Sequence, residues 1–153
     1  MLLSKPNIRR RIERELHDYD YTMNDNEVEF IHNNKNIRVN LKKYPFVPPK
    51  VFINNQELIY CPSNYPIRIW QKYITMYPHR CPCCTSLLCV DNWSPILSFM
   101  DILRENDSIM DKFKIIHKTL IIQKMNLPED IIHVITTYVL GIDSRCMWKN
   151  NQK

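Results

Sequence analysis

One proline-rich stretch decides the fold, and it reads Tyr44-Pro45-Phe46-Val47-Pro48-Pro49-Lys50-Val51. Three prolines within five residues remove backbone donors and fix φ, so this stretch cannot be helical. We expect an extended, rigid crossing that leads directly into a strand over residues 50–54. Asn54 and Asn55 then provide the turn that closes the strand.

A hairpin is predicted before the crossing. Residues 27–31 alternate polar and apolar side chains, residues 37–41 do the same, and an Asn-rich link joins them. Such alternation predicts two antiparallel strands, each with one face toward a core and the other toward water. The chain has one Gly against fifteen Asn. We therefore expect Asn at the turn positions that need a positive φ.

Helices are predicted on both sides of these strands. Upstream, residues 4–18 carry an apolar stripe at four-residue spacing, formed by Ile8, Ile12 and Leu16. Downstream, Ser94 is a suitable cap for a second helix, with Pro95 at its first position. Apolar periodicity predicts further helices over residues 108–124 and 128–141.

Residues 56–92 form the least regular segment and hold four prolines and five cysteines. A structureless loop of this length is unusual in a compact domain. The segment therefore contains a helix, for which residues 67–73 are the candidate, or is held by something such as a metal ion. Trp70 and Tyr73 favour a local apolar cluster within it.

The composition fits a globular domain inside a cell. Hydrophobic residues make up 44% and charged residues 24% of the 153 residues, with a net charge of +5. No apolar stretch reaches the ~20 residues of a spanning helix, and no signal sequence opens the chain. We expect a cytoplasmic or nuclear location. Twenty Ile and fifteen Asn resemble coding by an AT-rich genome, such as that of a large DNA virus, so the cell would then be the host's.

The order of these segments resembles that of the ubiquitin-conjugating enzymes. The proline crossing over residues 44–51, the segment Asn92-Trp93-Ser94-Pro95-Ile96-Leu97 and the basic first helix all match that family's pattern. The resemblance implies an α+β fold with an N-terminal helix, an antiparallel meander sheet of three to four strands and C-terminal helices. We expect such a domain over residues 1–125 and a C-terminal helix and tail over residues 126–153.

The resemblance also implies a function and its partners. The family carries ubiquitin or a ubiquitin-like modifier as a thioester, and its members meet an activating enzyme and a ligase. Cys84 best matches the nucleophile of this transferase reaction, Asn64 the amide that supports the oxyanion, and Asp91 a group that orients the attacking amine. Cys61 and Ser63 stand where the family has His and Asn. A noncatalytic variant of the family therefore stays an alternative.

Zinc offers a different explanation for the same cysteines. Cys81, Cys83, Cys84 and Cys89 lie within nine residues, and cysteines so spaced in a reducing compartment favour metal binding over disulfides. Cys81 and Cys84 have the Cys-x-x-Cys spacing of a zinc turn. The predicted ligand set for a structural zinc ion is Cys61, Cys81, Cys84 and Cys89, with His79 as another candidate. A third alternative places several of these cysteines in the core.

The two explanations compete, because a thiolate closed into a zinc site cannot accept a modifier. The zinc alternative describes a non-enzymatic interaction module that binds protein. Nucleic-acid binding through Arg9, Arg10, Arg11 and Arg14 ranks lower, because that helix face lacks interleaved aromatic residues.

Overall fold

A computed structural model describes residues 5–78 and 81–135. His79 and most of the predicted C-terminal helix and tail lie outside the described residues. The chain divides into two compact units. Unit 1 comprises Met1–Tyr60 and Thr85–Glu105, and unit 2 comprises Cys61–Cys84 and Asn106–Lys153.

Unit 1 begins with helix α1, Lys5–Glu15, and continues into an antiparallel sheet. The sheet contains strands β1 Tyr21–Met23, β2 Glu27–His32, β3 Lys35–Asn40, β4 Lys50–Ile53 and β5 Gln56–Glu57. Neighbours in the sheet follow chain order, β1-β2-β3-β4-β5. The predicted mixed α+β architecture and meander pairing are confirmed. The predicted number of strands was too low, because the short outer strands β1 and β5 were missed.

Pairs of asparagines form the tight turns between β2 and β3 and between β4 and β5. Asn33 and Asn34 join β2 to β3 with φ of 50° and 59°, while Asn54 and Asn55 join β4 to β5 with φ of 49° and 67°. Two consecutive positive φ values are typical of the turn that matches the right-handed twist of a hairpin. The expectation that Asn replaces Gly at these positions is confirmed.

The core of unit 1 lies between α1, the inner face of the sheet and the start of a long helix. The register pairs Val28 with Val39, and Val39 with Val51, so these three valines line one face. All three are fully buried, as are Ile12 of α1 and Leu16, which directly follows that helix. The stripe predicted for the first helix therefore faces this core.

The long helix, α4, spans Phe99–Lys124 without a break. Two separate helices were predicted here, the first capped by Ser94, and both expectations are wrong. The cap is Ser98, whose hydroxyl accepts from the Asp101 amide at 3.3 Å while the Asp101 carboxylate accepts from the Ser98 amide at 2.8 Å. This reciprocal arrangement satisfies two backbone donors, an advantage that Ser94 does not have.

Unit 2 contains helix α2, Ile67–Met76, the one-turn helix α3, Pro82–Thr85, and the later part of α4. Helix α5, Glu129–Val134, follows. The helix predicted over residues 67–73 exists and runs three residues further. Trp70 and Tyr73 are buried, and Tyr73 meets Phe113 of α4 at 5.1 Å between ring centroids. The local apolar cluster is therefore confirmed. No helix among the described residues is long and apolar enough to cross a membrane.

Candidate functional site

Three cysteine sulfurs meet at one turn of unit 2. The Sγ atoms of Cys81, Cys83 and Cys84 all lie within 4.8 Å of one another. Cys81 Sγ lies 2.7 Å from Cys83 Sγ, which lies 3.5 Å from Cys84 Sγ. Among the described residues, no other group of three metal-ligating side chains is this close. We call these residues the cysteine trio.

Local backbone geometry builds the trio. Pro82 begins helix α3 and is buried, which anchors the turn. The Cys84 amide donates to the Cys81 carbonyl at 3.1 Å, so the chain folds back within one turn. In this turn the Sγ atoms of its first, third and fourth residues all lie within 4.8 Å of one another. The trio therefore needs no residue from elsewhere in the chain.

The sulfurs of the trio perturb one another's acidity. Burial raises the pKa of Cys81, but hydrogen bonds from Cys83 and from the amides of Cys83 and Cys84 outweigh it and lower that pKa. The hydrogen bond to Cys81, with burial, raises the pKa of Cys83 to about 12. Cys81 is thus the more acidic of the pair, stabilised as a thiolate by its neighbours.

Two of the predicted metal ligands are not part of the trio. Cys61 lies in unit 2, with its sulfur 3.0 Å from the Ser63 hydroxyl. That hydroxyl and the Ser63 amide lower the pKa of Cys61. Cys89 belongs to unit 1 and precedes the short 3-10 turn Val90–Asn92. The structure brings together Cys81 and Cys84 of the predicted set and adds Cys83.

The predicted catalytic residues occupy different elements. Cys84 is the only exposed cysteine among the five described, and none of the five is in a disulfide. Asn64 is exposed in the 3-10 turn Pro62–Asn64 of unit 2, and Asp91 is exposed in unit 1. The roles assigned to Asn64 and Asp91 stay predictions.

The two segments that carry the family resemblance are joined in unit 1. The Trp93 indole N–H donates to the Pro45 carbonyl at 2.7 Å. The Tyr44 ring lies 6.1 Å from the Trp93 ring and 6.0 Å from that of Phe99. The proline crossing and the Trp93 segment, 48 residues apart in the chain, thus form one corner against the core.

Arg11 fixes this corner to helix α1. Its Nε donates to Glu15 at 2.6 Å and to the Tyr44 hydroxyl at 2.8 Å, and its terminal nitrogens donate to the Pro95 and Leu97 carbonyls. Burial lowers the pKa of Arg11, but the hydrogen bonds to Glu15 and Tyr44 and the negative charge of Glu15 raise that pKa overall. We call this arrangement the Arg11 clamp.

The clamp also changes the interpretation of the basic helix. The Arg11 side chain points into unit 1, and Arg9 Nε lies 3.5 Å from Glu13 Oε1. Arg14 Nε donates to the Arg10 carbonyl at 3.4 Å, so three of the four arginine side chains contact protein groups. A continuous basic face for nucleic acid is correspondingly weakened.

Two exposed apolar side chains stand on the loops that the clamp holds. Phe46 follows the Pro45 carbonyl and is 53% exposed, and Ile96 lies between the two carbonyls bound by Arg11 and is 87% exposed. Hydrogen bonds fix the backbone of both loops, so the two side chains stand on a preorganised support. We call this pair the Phe46–Ile96 surface.

Sequence reasoning missed three parts of these arrangements. The predicted ligand set omitted Cys83, because a Cys-x-x-Cys motif indicates only its first and last residues as ligands. The Arg11 clamp depends on residues 84 and 86 positions apart, which no local pattern reveals. The Ser98–Asp101 cap had a local signal, a serine three residues before an acid.

Comparisons of the chain with protein-family models, with curated proteins and with solved structures found no match. Its function therefore has to be inferred from its own residues and their geometry.

Proposed function

We propose that this chain is a ubiquitin-conjugating-enzyme-like protein that carries ubiquitin, or a ubiquitin-like modifier, as a thioester on Cys84. The observation that carries the proposal is the hydrogen bond from Trp93 to the Pro45 carbonyl, 2.7 Å long. Besides the basic first helix, the resemblance rests on the proline crossing and the Trp93 segment. It requires that these two segments form one corner beside a meander sheet.

Exposure of Cys84 supports its role as the carrier. A modifier's C-terminus is bulky, so the receiving sulfur has to be accessible from solvent. Cys84 meets this requirement, whereas Cys61, Cys81, Cys83 and Cys89 are partly buried. Cys84 also lies within helix α3, where its amide donates to the Cys81 carbonyl at 3.1 Å and holds the backbone of the turn.

The chemistry is a thioester exchange followed by aminolysis. The Cys84 thiolate attacks the modifier's C-terminal carbonyl, held as a thioester on the activating enzyme, and that enzyme's thiolate departs. A substrate amine then attacks the new thioester, loses its proton and releases the Cys84 thiolate. Asn64 is the proposed donor to the oxyanion of the second step, a contribution of about 3 kcal/mol where such a donor is well placed.

The Phe46–Ile96 surface is the proposed docking surface for the activating enzyme or a ligase. Both side chains are apolar, exposed and backed by the Arg11 clamp, so they lose little conformational freedom on binding. Aromatic and large aliphatic residues of this kind often dominate the binding energy of an interface.

A charging assay tests the proposal. Reduced, metal-free chain is incubated with activating enzyme, ATP and modifier, and adducts are separated with and without reductant. We expect a thiol-sensitive adduct on wild type, none on Cys84→Ala and a thiol-resistant ester on Cys84→Ser. Cys89→Ala serves as the matched control and should retain the adduct. Absence of any adduct on folded wild type, across the modifiers supplied, would remove the proposal.

A second candidate function is a zinc-stabilised interaction module without chemistry. The cysteine trio favours it, because three sulfurs within 4.8 Å form a suitable donor set for a thiophilic ion. Cys81, Cys83 and Cys84 would hold the zinc, and the ion would stiffen a segment rich in turns. Stoichiometric zinc that cannot be removed without unfolding the chain would favour this candidate over the carrier.

A further inference from the structure

The sulfur of Cys84 belongs both to the proposed carrier chemistry and to the cysteine trio. We propose that one thiophilic divalent ion of the zinc class, bound by Cys81, Cys83 and Cys84, reversibly withholds Cys84 from acylation and thereby regulates the protein. This inference rests on the proposed function for its biological meaning, but the metal site can be tested separately.

The distances between the sulfurs of the trio are close to those between thiolates that bind one zinc ion. Zinc–sulfur bonds of about 2.3 Å in a tetrahedral site place the sulfurs about 3.8 Å apart. The Cys83–Cys84 separation of 3.5 Å is near this value, and the Cys81–Cys83 separation of 2.7 Å has to widen by about 1 Å. Rotation of two cysteine side chains is sufficient for this change, so the backbone of α3 can stay in place.

Within the part of the chain that the structure describes, the site is open rather than closed. Among residues 5–78 and 81–135, no fourth Cys, His, Asp or Glu joins the group of three. Structural zinc sites are usually closed by four protein ligands, whereas sites with three keep a position for an exogenous ligand. Cys84 is itself exposed. An ion held in this way exchanges with competing ligands, as a reversible regulator requires.

The two uses of Cys84 exclude each other chemically. Binding of Zn²⁺ to three thiols releases three protons and places a sulfur lone pair of Cys84 in the metal–ligand bond. The bond to the ion withdraws electron density from the sulfur and lowers its nucleophilicity toward the modifier's carbonyl. The chargeable fraction of the chain therefore equals the metal-free fraction, and charging falls as the site fills.

The first experiment measures alkylation of Cys84 in the full wild-type chain. Reduced, metal-free protein reacts with iodoacetamide with or without saturating Zn²⁺, and each cysteine is followed by peptide mass spectrometry. At about 90% occupancy we expect Cys84 to react about tenfold more slowly, with recovery after chelation. Cys61, outside the trio but in the same chain, is the internal control and should change less than about twofold.

Two results of this experiment overturn the inference. Equal alkylation of Cys84 with and without Zn²⁺ means that no ion withholds its sulfur. Equal protection of Cys61 and Cys84 means that the ion uses ligands other than the trio. Because only wild-type chain is used, a variant that fails to fold cannot confuse either result.

The second experiment repeats the charging assay over a range of Zn²⁺ concentrations. The zinc response is the ratio of charging rates with and without the ion within each protein, so a changed basal rate does not enter it. We expect this ratio to fall about tenfold for wild type at about 90% occupancy and much less for Cys81→Ser and Cys83→Ser. The activating enzyme's own thioester is followed in parallel to detect zinc inhibition of that enzyme.

The outcomes separate the two claims. If metal-free wild type is never charged, the carrier function fails, while alkylation still decides the metal site. If wild type is charged equally at saturating Zn²⁺, the regulatory inference fails and the carrier function stands.

Discussion

Removal of the Arg11 side chain should destabilise unit 1 far more than removal of a neighbouring arginine. In the Arg11→Met variant, Glu15 keeps its buried carboxylate without its cationic partner. Glu15 Oε2 has no hydrogen-bond partner among the described residues, and Oε1 keeps the Tyr44 hydroxyl as a neutral donor, which does not replace the lost positive charge. The Pro95 and Leu97 carbonyls lose their donors as well.

The magnitude follows from burial. Breaking a fully buried ion pair by removing one partner costs about 3–5 kcal/mol. The Arg11 and Glu15 side chains are 21% and 11% exposed, so water screens part of the interaction. We expect a loss of about 2–4 kcal/mol in the free energy of unfolding.

The matched control is Arg9→Met. Arg9 and Glu13 have the same four-residue spacing on the same helix, but their side chains are 75% and 51% exposed. An exposed pair of this kind contributes about 0.5 kcal/mol or less. The two variants thus differ in the burial of the pair they break and in the hydrogen bonds from Arg11 to Tyr44, Pro95 and Leu97.

Hydrogen exchange of the β2 and β3 amides is the assay, because it reports the opening of unit 1 itself. A loss of 2–4 kcal/mol corresponds to exchange that is roughly 30- to 700-fold faster. The double variant Arg11→Met/Glu15→Gln removes the unpaired charge and should recover about 1–2 kcal/mol. Equal effects of Arg11→Met and Arg9→Met, or no recovery in the double variant, would refute this reasoning.

Three further changes test other parts of the fold. Trp93→Phe keeps an aromatic ring but leaves the buried Pro45 carbonyl without its donor, so urea unfolding should show a loss of about 1–3 kcal/mol. Asn34→Ala should cost about 1 kcal/mol at its φ of 59°, whereas Asn34→Gly should be nearly neutral, and a cost for Gly equal to that for Ala would contradict the turn assignment. Burial raises the pKa of Glu105 above 4.5 despite hydrogen bonds from the Ser86 hydroxyl and the Leu87 amide. The stabilising effect of a protonated Glu105 is complete below pH 4.5 and is lost as pH rises through the folded-state pKa. Glu105→Gln should flatten that part of the stability profile, and an unchanged profile would exclude Glu105 as its source.

The central strands of the sheet were predictable because the signals that define them lie within short segments of the sequence. Alternation over residues 27–31 and 37–41 defines two faces, and a register shift would expose the valines. Asn pairs at the two turns supply positive φ where the chain has no Gly to offer. The two-residue strand β5 was missed because a segment so short carries no periodic signal.

The long helix shows where local signals conflict. Ser94 followed by Pro95 has the composition of a helix start, yet Ser98 with Asp101 makes two hydrogen bonds that Ser94 does not make. The helix predicted over residues 108–124 implied a break before residue 108, but Asn106 is buried within a continuous helix. Tertiary burial therefore outweighed the weak helix propensity of Asn.

The candidate site was only partly predictable for a similar reason. The Cys-x-x-Cys spacing of Cys81 and Cys84 predicts that their sulfurs lie close together. That Cys83 joins them depends on side-chain directions within a single turn, which spacing alone does not specify. The Phe46–Ile96 surface depends on Arg11, whose partners lie far away in the chain.

Intact-mass spectrometry of the wild-type chain is the most direct test of Cys84 as a modifier carrier. Metal-free chain is incubated with activating enzyme, ATP and modifier, and the reaction is stopped with weak acid. We predict a species whose mass exceeds that of the chain by the mass of one modifier minus that of one water. Digestion should place the remnant on the peptide that contains Cys84, and hydroxylamine should release it. A chain that keeps its original mass, or that carries the modifier on a lysine while Cys84 is never acylated, would contradict the account.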